Sequence, residues 1–248
     1  MSFRALVFGA RFWRGISALT DRRLSEKTNG NTETNEARVA CPTMASGNRT
    51  STASSARLHS TGGVDLRMFC HSIHTGIGEV AVRPIAPADA DKAQAFVAAL
   101  SQNSRYLRFF HTLKSLPPSM LKRFIGIDQQ IQVVLVGLAV VQGRETMIAE
   151  ARYCVSGDHT TAEIAISVAD EWQRRGIATA LLNMLERIAS TNDITQFTAQ
   201  SFAVNETFRK FARACGFESR RDTDPAYLRF QKPIASFALR GCGDFAAR

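Results

Sequence analysis

The chain has 248 residues, of which 45% are hydrophobic and 21% are charged, and its formal net charge is +9. Such a composition is typical of a folded protein with one sizeable core. It contains no run of about 18 apolar residues, which argues against a membrane span, and no basic and aromatic module of a kind known to bind nucleic acid. The five cysteines form no C-x-x-C pair, which favours a reducing compartment over a disulfide framework.

The first part of the chain, residues 1–78, is rich in Ser, Thr, Asn, Gly and Arg and has few large apolar residues. We expect a disordered extension there, because little apolar burial is available to offset the entropy of ordering. Its first twenty residues alternate apolar and arginine side chains. They are interpreted as a mitochondrial transit peptide, an amphipathic surface helix, or the product of a start codon placed upstream of a true start at Met44 or Met68. The expected location is the cytoplasm, with the mitochondrial matrix as the alternative.

Cys70, His71 and His74 lie just before the predicted domain and have the spacing of half a metal site. No second ligand pair accompanies them, so polar residues in a loop explain them better, and we expect no metal.

An ordered domain is predicted over residues 79–234, followed by a tail over 235–248. A first strand at 80–85 ends near Pro84, which is tolerated at a sheet edge or a strand end. Asp89 is a plausible N-cap for a helix with Ala93, Phe96, Val97 and Leu100 on its apolar face.

A basic and aromatic segment follows at 104–110, and two interpretations of it remain open. It lines an acceptor groove, or its aromatic rings pack in the core with the arginines outside. Pro117 and Pro118 open a further helix. The strands predicted at 131–141 and 146–155 form an antiparallel hairpin.

The next strand, at 162–168, leads into the turn Gln173–Ala178 and then into a helix whose apolar stripe repeats at helical spacing. Backbone N–H groups in the first turn of that helix lack intrahelical partners and carry the positive end of its dipole. Gly176 allows close approach of an anion, and Arg174 and Arg175 add positive charge. The turn is therefore predicted to bind a diphosphate.

Beyond this helix, a strand at 194–202 precedes a helix that begins at Asn205 and ends at Gly216, and a last strand follows at 226–231. Periodicity alone predicts a mixed α/β fold.

The run Gln173, Arg174, Arg175, Gly176, Ile177 and Ala178 resembles the Q/R-x-x-G-x-G/A signature of the GNAT superfamily of N-acetyltransferases. The segments 105–110, 151–153, 162–165 and 168–173 resemble the acetyltransferase domain of bacterial protein lysine acetyltransferases. The resemblance covers roughly residues 79–234. It implies a mixed, mainly antiparallel sheet flanked by helices, with acyl-CoA inserted where the strands before and after the signature helix separate.

The resemblance also implies roles for single residues. Glu163 matches the glutamate taken as the general base, and Glu150 is a rival that an ion pair with Arg152 explains better. The backbones of Ile166 and Val168 are expected to contact the pantetheine. N–H groups near Val168 would polarise the thioester carbonyl if the strand bulges there, as it does in the family, although the sequence does not show the bulge. Asn205 matches an asparagine that contacts the cofactor, and it also suits a plain N-cap.

Many relatives carry a tyrosine four residues before the pair Gly216–Phe217, where it returns a proton to the leaving thiolate, but this chain has Ala212 there. Either the thiolate leaves unaided or another group acts, and Tyr153 and Cys215 are not obvious substitutes.

The sequence thus predicts an enzyme that moves an acetyl group from acetyl-CoA to a primary amine by direct attack, with a protein lysine as one acceptor. A non-catalytic acyl-CoA-binding regulatory domain and an acetyltransferase for small amines are the alternatives. The sequence gives no indication of oligomeric state.

Overall fold

The computed structural model describes residues 70–126 and 131–235. Its strands are β1 His71–Thr75, β2 Gly78–Pro84, β3 Gln132–Val141, β4 Arg144–Val155, β5 Thr161–Val168, β6 Gln196–Phe202, β7 Glu218–Arg221 and β8 Tyr227–Pro233. Its helices are α1 Ala90–Ala99, α2 Gln102–Phe109, α3 Pro118–Ile125, α4 Ile177–Thr191 and α5 Glu206–Ala214. The predicted extension up to residue 69, including its targeting interpretations, and the tail after 235 lie outside the described residues.

These strands form one sheet in the order β1-β2-β3-β4-β5-β6-β8-β7. Neighbouring strands are antiparallel except β5 and β6, which are parallel. Their pairing covers only three rungs, from Thr161 opposite Gln196 to Glu163 opposite Thr198. Beyond Glu163 the two strands continue to Val168 and Phe202 without pairing, so they enclose an open wedge. This confirms the expected mixed, mainly antiparallel fold with a separated strand pair.

The two faces of the sheet are covered by different helices. Because side chains alternate along a strand, Ile164 and Ile166 of β5 face the core that also contains the apolar stripe of α4 and Phe208 of α5. Val134 and Val136 of β3 face the opposite way, into the core formed with α1, α3 and Phe109 of α2. The central strands of the sheet are therefore buried on both sides.

Three elements were not predicted. Strand β1 pairs with β2 from His71 opposite Val82 to Thr75 opposite Gly78, so the fold begins well before residue 79. Its residues are mostly exposed, as are all four of β7, and without an apolar alternation neither strand leaves a pattern in the sequence. His71 and His74 thus lie on a strand and not in a loop. Helix α2 was predicted only as a basic and aromatic segment.

Asp89 stands at the N-cap position of α1, but its carboxylate makes no capping bond to that helix. It instead accepts hydrogen bonds from Arg83 at 2.7 Å and from the backbone N–H of Ala86 at 2.8 Å. The hairpin of β3 and β4 is confirmed, and its turn contains Gln142 and Gly143 at φ 51° and 76°, as two-residue hairpin turns require.

Candidate active site

The wedge is lined on one side by unpaired backbone of β5. The N–H of Ala169 donates to Ile148 in β4 at 2.8 Å, and Thr161 accepts from Ser156, so the odd-numbered residues of β5 direct their backbone groups to β4. The alternate residues Ile166 and Val168 therefore direct theirs into the wedge. An extended chain placed there can pair with β5 as an added strand would.

The expected bulge near Val168 is wrong. Strand β5 stays in register with β4 from Ala162 opposite Val155 to Val168 opposite Ala149. The irregularity lies in β4, because Gly137 is opposite Ala149 whereas Leu138 is opposite Met147, which leaves Ile148 as an extra residue. The N–H of Val168 gains its direction from ordinary strand alternation.

The predicted diphosphate turn lies at the wide end of the wedge, between β5 and α4. Gly176 is the N-cap of α4 at φ 80°, and the first backbone bond of the helix runs from Ala180 to Gly176 at 3.0 Å. The N–H groups of residues 176–179 precede that bond and have no intrahelical acceptor. A methyl group added at Gly176 would meet no atom within 4 Å, so the space above the turn is open.

The side chains of the turn differ in their contacts and in their exposure. Gln173 donates to the carbonyl of Val168 at 2.9 Å, which ties the turn to the end of β5. Arg174 and Arg175 are exposed, and Arg174 holds φ at 59°, which is unusual for a residue other than glycine. Ile177 and Ala178 are buried in the core, so only their backbones are available to a ligand.

Asn205 begins α5 at the end of the wedge formed by β6. Its Oδ1 accepts from the backbone N–H of Phe208 at 3.1 Å, which confirms the N-cap interpretation. Its Nδ2 lies 3.2 Å from Ser201 Oγ, to which it donates. A contact between Asn205 and a cofactor stays a prediction.

Glu163 occupies the last paired rung of β5 and β6, at the apex of the wedge. Its side chain is half-buried, lies on the sheet face covered by α1–α3, and has Cys154 of β4 and Thr198 of β6 as lateral neighbours. Burial, and secondarily the Glu163 carboxylate, raise the pKa of the Cys154 thiol to about 11. The thiol beside Glu163 is therefore neutral at physiological pH.

Glu150, the rival base, is bound in a buried cluster of two arginines and one glutamate. Its carboxylate contacts Arg152 of β4 and accepts from Arg108 of α2 at 3.0 Å, and all three side chains are at most 1% exposed. Burial opposes ionisation, but the two guanidinium groups outweigh it and lower the pKa of Glu150. A carboxylate held in this way does not accept a proton at neutral pH, so the ion-pair interpretation of Glu150 is confirmed.

The burial of Arg108 contradicts one of the two interpretations of segment 104–110, in which the arginines lie outside. Sequence reasoning missed this partner of Glu150 because α2 was not recognised as a helix, and the partners of a buried charge come from distant segments.

Helix α2 is also fixed to the end of β5, beside the predicted diphosphate turn. The carboxylate of Asp170, two residues after β5, accepts from the backbone N–H and the hydroxyl of Ser101 at 2.9 and 3.1 Å and from the Ser104 hydroxyl at 2.6 Å. The first turn of α2 is thereby held against the residues that lead into the diphosphate turn. An acid directly after a strand was the only sequence feature that could have indicated this link.

No tyrosine stands where many relatives place a proton donor, and Ala212 is fully buried there. Tyr153 accepts a hydrogen bond from Asn192 at 2.8 Å, and burial raises its pKa to about 12 despite that bond. It projects toward α4, on the face opposite Glu163. Its hydroxyl is thus occupied and far from the predicted base.

Within the described residues, neither a metal-binding cluster nor a membrane-spanning helix is present. In ranges 70–126 and 131–235, no group of three or more His, Cys, Asp and Glu side chains could hold a metal ion. No helix in those ranges has both the length and the apolar character needed to cross a bilayer.

Known proteins share this architecture. The sequence model of the Acetyltransferase (GNAT) family matches residues 103–217. An acetyltransferase of Pseudomonas aeruginosa is 28% identical over 145 residues, which are 58% of this chain and 78% of that protein. Acetyltransferase Pat of Mycolicibacterium smegmatis is 27% identical over 136 residues, which are 54% of this chain but only 40% of Pat.

The crystal structure of the GNAT domain of S. lividans PAT superposes with a TM-score of 0.62 at 26% identity, and the match covers 67% of this chain and 98% of that one. Sequence match, named relatives and superposed fold agree, and the chain contains a GNAT acetyltransferase domain that includes the matched residues 103–217.

Proposed function

We propose that the protein transfers the acetyl group of acetyl-CoA to the ε-amine of a protein lysine, by direct attack within a ternary complex. One observation carries this proposal: β5 and β6 separate beyond Glu163, and the wedge between them opens onto the amide-rich turn at Gly176. The wedge suits an extended, amide-containing pantetheine arm, and the turn suits the diphosphate at the end of that arm.

The cofactor is proposed to contact the protein mainly through backbone groups. The turn Gln173–Ala178 cradles the diphosphate through the free N–H groups that begin at Gly176, with the charges of Arg174 and Arg175 at the rim. Ile166 and Val168 pair with the amides of the pantetheine arm, and the N–H of Val168 polarises the thioester carbonyl. Asn205 contacts the arm from the side of β6.

Glu163 is proposed as the general base. A lysine amine has a pKa of about 10.4, so only about one molecule in a thousand is uncharged at neutral pH. Glu163 takes one proton from the ammonium group, directly or through one water, and the freed nitrogen lone pair forms the bond to the carbonyl carbon. The C–S bond then breaks with its electron pair on sulfur. The second proton of the attacking nitrogen passes to the departing CoA thiolate or to water, so no protein acid is required.

The choice of a protein lysine as acceptor is supported by the resemblance to protein lysine acetyltransferases and by the similarity to Pat. Acceptor loops differ widely among proteins of one fold, so the acceptor needs its own test. A screen of CoA thiol release over proteins, peptides and small amines separates the candidates.

The role of Glu163 is tested by acetyl-CoA turnover with Glu163→Gln. We expect kcat/KM to fall by about 10²- to 10⁴-fold near pH 7. The difference in kcat/KM between the variant and wild type should shrink as the pH approaches the pKa of the amine, because the acceptor is then already uncharged. Glu79→Gln is the matched control, because Glu79 is an exposed strand glutamate on β2. Activity of Glu163→Gln within about twofold of wild type across pH 6 to 9 would remove Glu163 from this role.

A further inference from the structure

Four aromatic rings from three segments stack at the open end of the wedge. Phe202, the last residue of β6, is central, with ring centroids 5.1 Å from Tyr106, 4.6 Å from Phe110 and 5.0 Å from Tyr227. The planes of these pairs differ by only 10° to 26°. We call these four side chains the aromatic platform. Tyr106 is 44% exposed and presents the outer ring of the stack to solvent.

The aromatic platform lies on the same face of the sheet as Glu163. Thr198 is opposite Glu163, and Phe202 stands four residues further along β6, so the two side chains project to the same side. Tyr227 is opposite Phe202 in the next strand. With a rise of about 3.3 Å per residue, Phe202 is roughly 13 Å from the rung of Glu163.

The platform is held in place before any ligand binds. Helix α2 carries Tyr106, and its first turn is bonded to Asp170 at the end of β5. Its last turn is bonded to Glu150 through the buried Arg108. The helix therefore spans the wedge from the end of β5 to the end of β6. A surface fixed in this way loses little side-chain entropy when it binds a partner.

We propose that the aromatic platform binds a large apolar or aromatic side chain that flanks the acceptor lysine in an extended peptide. This proposal rests on the proposed function. A lysine side chain reaches roughly 6 Å from its Cα, and a water between its amine and Glu163 adds about 3 Å. About 4 Å of the 13 Å then remains, which is one residue of an extended chain. The platform consequently meets the residue one or two positions from the lysine.

The occupant follows from the chemistry of the rings and from their continuity with the wedge. Stacked aromatic faces favour another aromatic ring or a large apolar group, and a carboxylate loses hydration there without gaining a partner. A preference of about two- to tenfold for a Phe-flanked over an Ala-flanked lysine is expected from one aromatic contact.

The experiment measures kcat/KM for two peptide series, which carry Phe, Ala or Asp either one or two positions from a single lysine, in wild type and in Tyr106→Ala. We expect the Phe preference of the wild type to disappear in Tyr106→Ala, to persist in Tyr106→Phe, and to turn toward the Asp peptide in Tyr106→Arg. Val140→Ala is the matched control, since Val140 is 74% exposed on β3. Calorimetry with CoA checks that every variant is folded.

The outcomes separate this proposal from the function on which it rests. Peptide acetylation with the same preference in wild type, Tyr106→Ala and Tyr106→Arg overturns the platform and leaves the acetyltransferase function intact. Turnover of small amines but of no peptide overturns the protein acceptor and the platform together.

Discussion

Replacing Glu150 by glutamine should lower the free energy of unfolding by about 3–5 kcal/mol, the usual result of removing one partner from a buried ion pair. The wild-type carboxylate is fully buried and balances two buried guanidinium groups, those of Arg108 and Arg152. Glutamine keeps the shape but offers one neutral oxygen, and its amide group faces an arginine with another donor. Whole domains are stable by only about 5–15 kcal/mol, so this loss is a large fraction of the total. At about 2–4 °C per kcal/mol for a domain of this size, it corresponds to a fall in Tm of roughly 6–20 °C.

Urea unfolding at pH 7, followed by circular dichroism, measures this loss. Glu145→Gln is the control, because the Glu145 side chain is 53% exposed in its pair with Lys92 and should contribute less than about 1 kcal/mol. A triple variant with Met at 108 and 152 and Leu at 150 should be more stable than Glu150→Gln, since it leaves no unpaired charge in the core. A loss below about 1 kcal/mol in Glu150→Gln would refute the reasoning.

The lowered pKa of Glu150 also predicts how the stability loss in Glu150→Gln changes with pH. The folded-state pKa of Glu150 lies below its ordinary value of 4.5, so its contribution is complete above that value. The contribution is lost as the pH falls through the folded-state pKa. The gap in stability between wild type and Glu150→Gln should therefore narrow in acid, and a gap that widens contradicts the assignment. Where Glu150→Gln remains folded, it should keep the wild-type pH profile of turnover.

Two further predictions concern the predicted diphosphate turn and the neighbour of Glu163. Arg174→Gly should raise the free energy of unfolding by up to about 1 kcal/mol in thermal melts, because glycine adopts the left-handed backbone at φ 59° without strain. It should also raise the KM for acetyl-CoA, because it removes a positive charge, and Arg174→Ala should raise the KM without the gain in stability. At pH 8, iodoacetamide should modify Cys154 about 100-fold more slowly than an ordinary cysteine, because a pKa of about 11 in place of 9.0 leaves about 100-fold less thiolate. Peptide mass spectrometry measures the rate, and a rate equal to that of the exposed Cys70 would contradict this prediction.

Much of the fold could be predicted because periodicity is a local property of the chain. The stripe of Ile177, Leu181, Leu185 and Ile188 forms the buried face of α4, and the apolar runs on either side of Gln142 and Gly143 form the β3–β4 hairpin. The role of Gly176 could be predicted because a turn followed by the start of a helix is encoded by a few consecutive residues. Its φ of 80° explains why glycine stands there.

What the sequence by itself determined is therefore the α/β class and the turn at Gly176 that opens α4. Diphosphate binding at that turn and the role of Glu163 as base stay predictions. Only the tertiary structure reveals the edge strands β1 and β7, because they pair through backbone hydrogen bonds, which require no particular side chains. It also decided that Arg108 is buried against Glu150, and that α2 spans the wedge from Asp170 to Phe202. These contacts of α2 join residues some 40 to 100 positions apart. No local pattern predicts them, because they form only between segments that the folded sheet brings together.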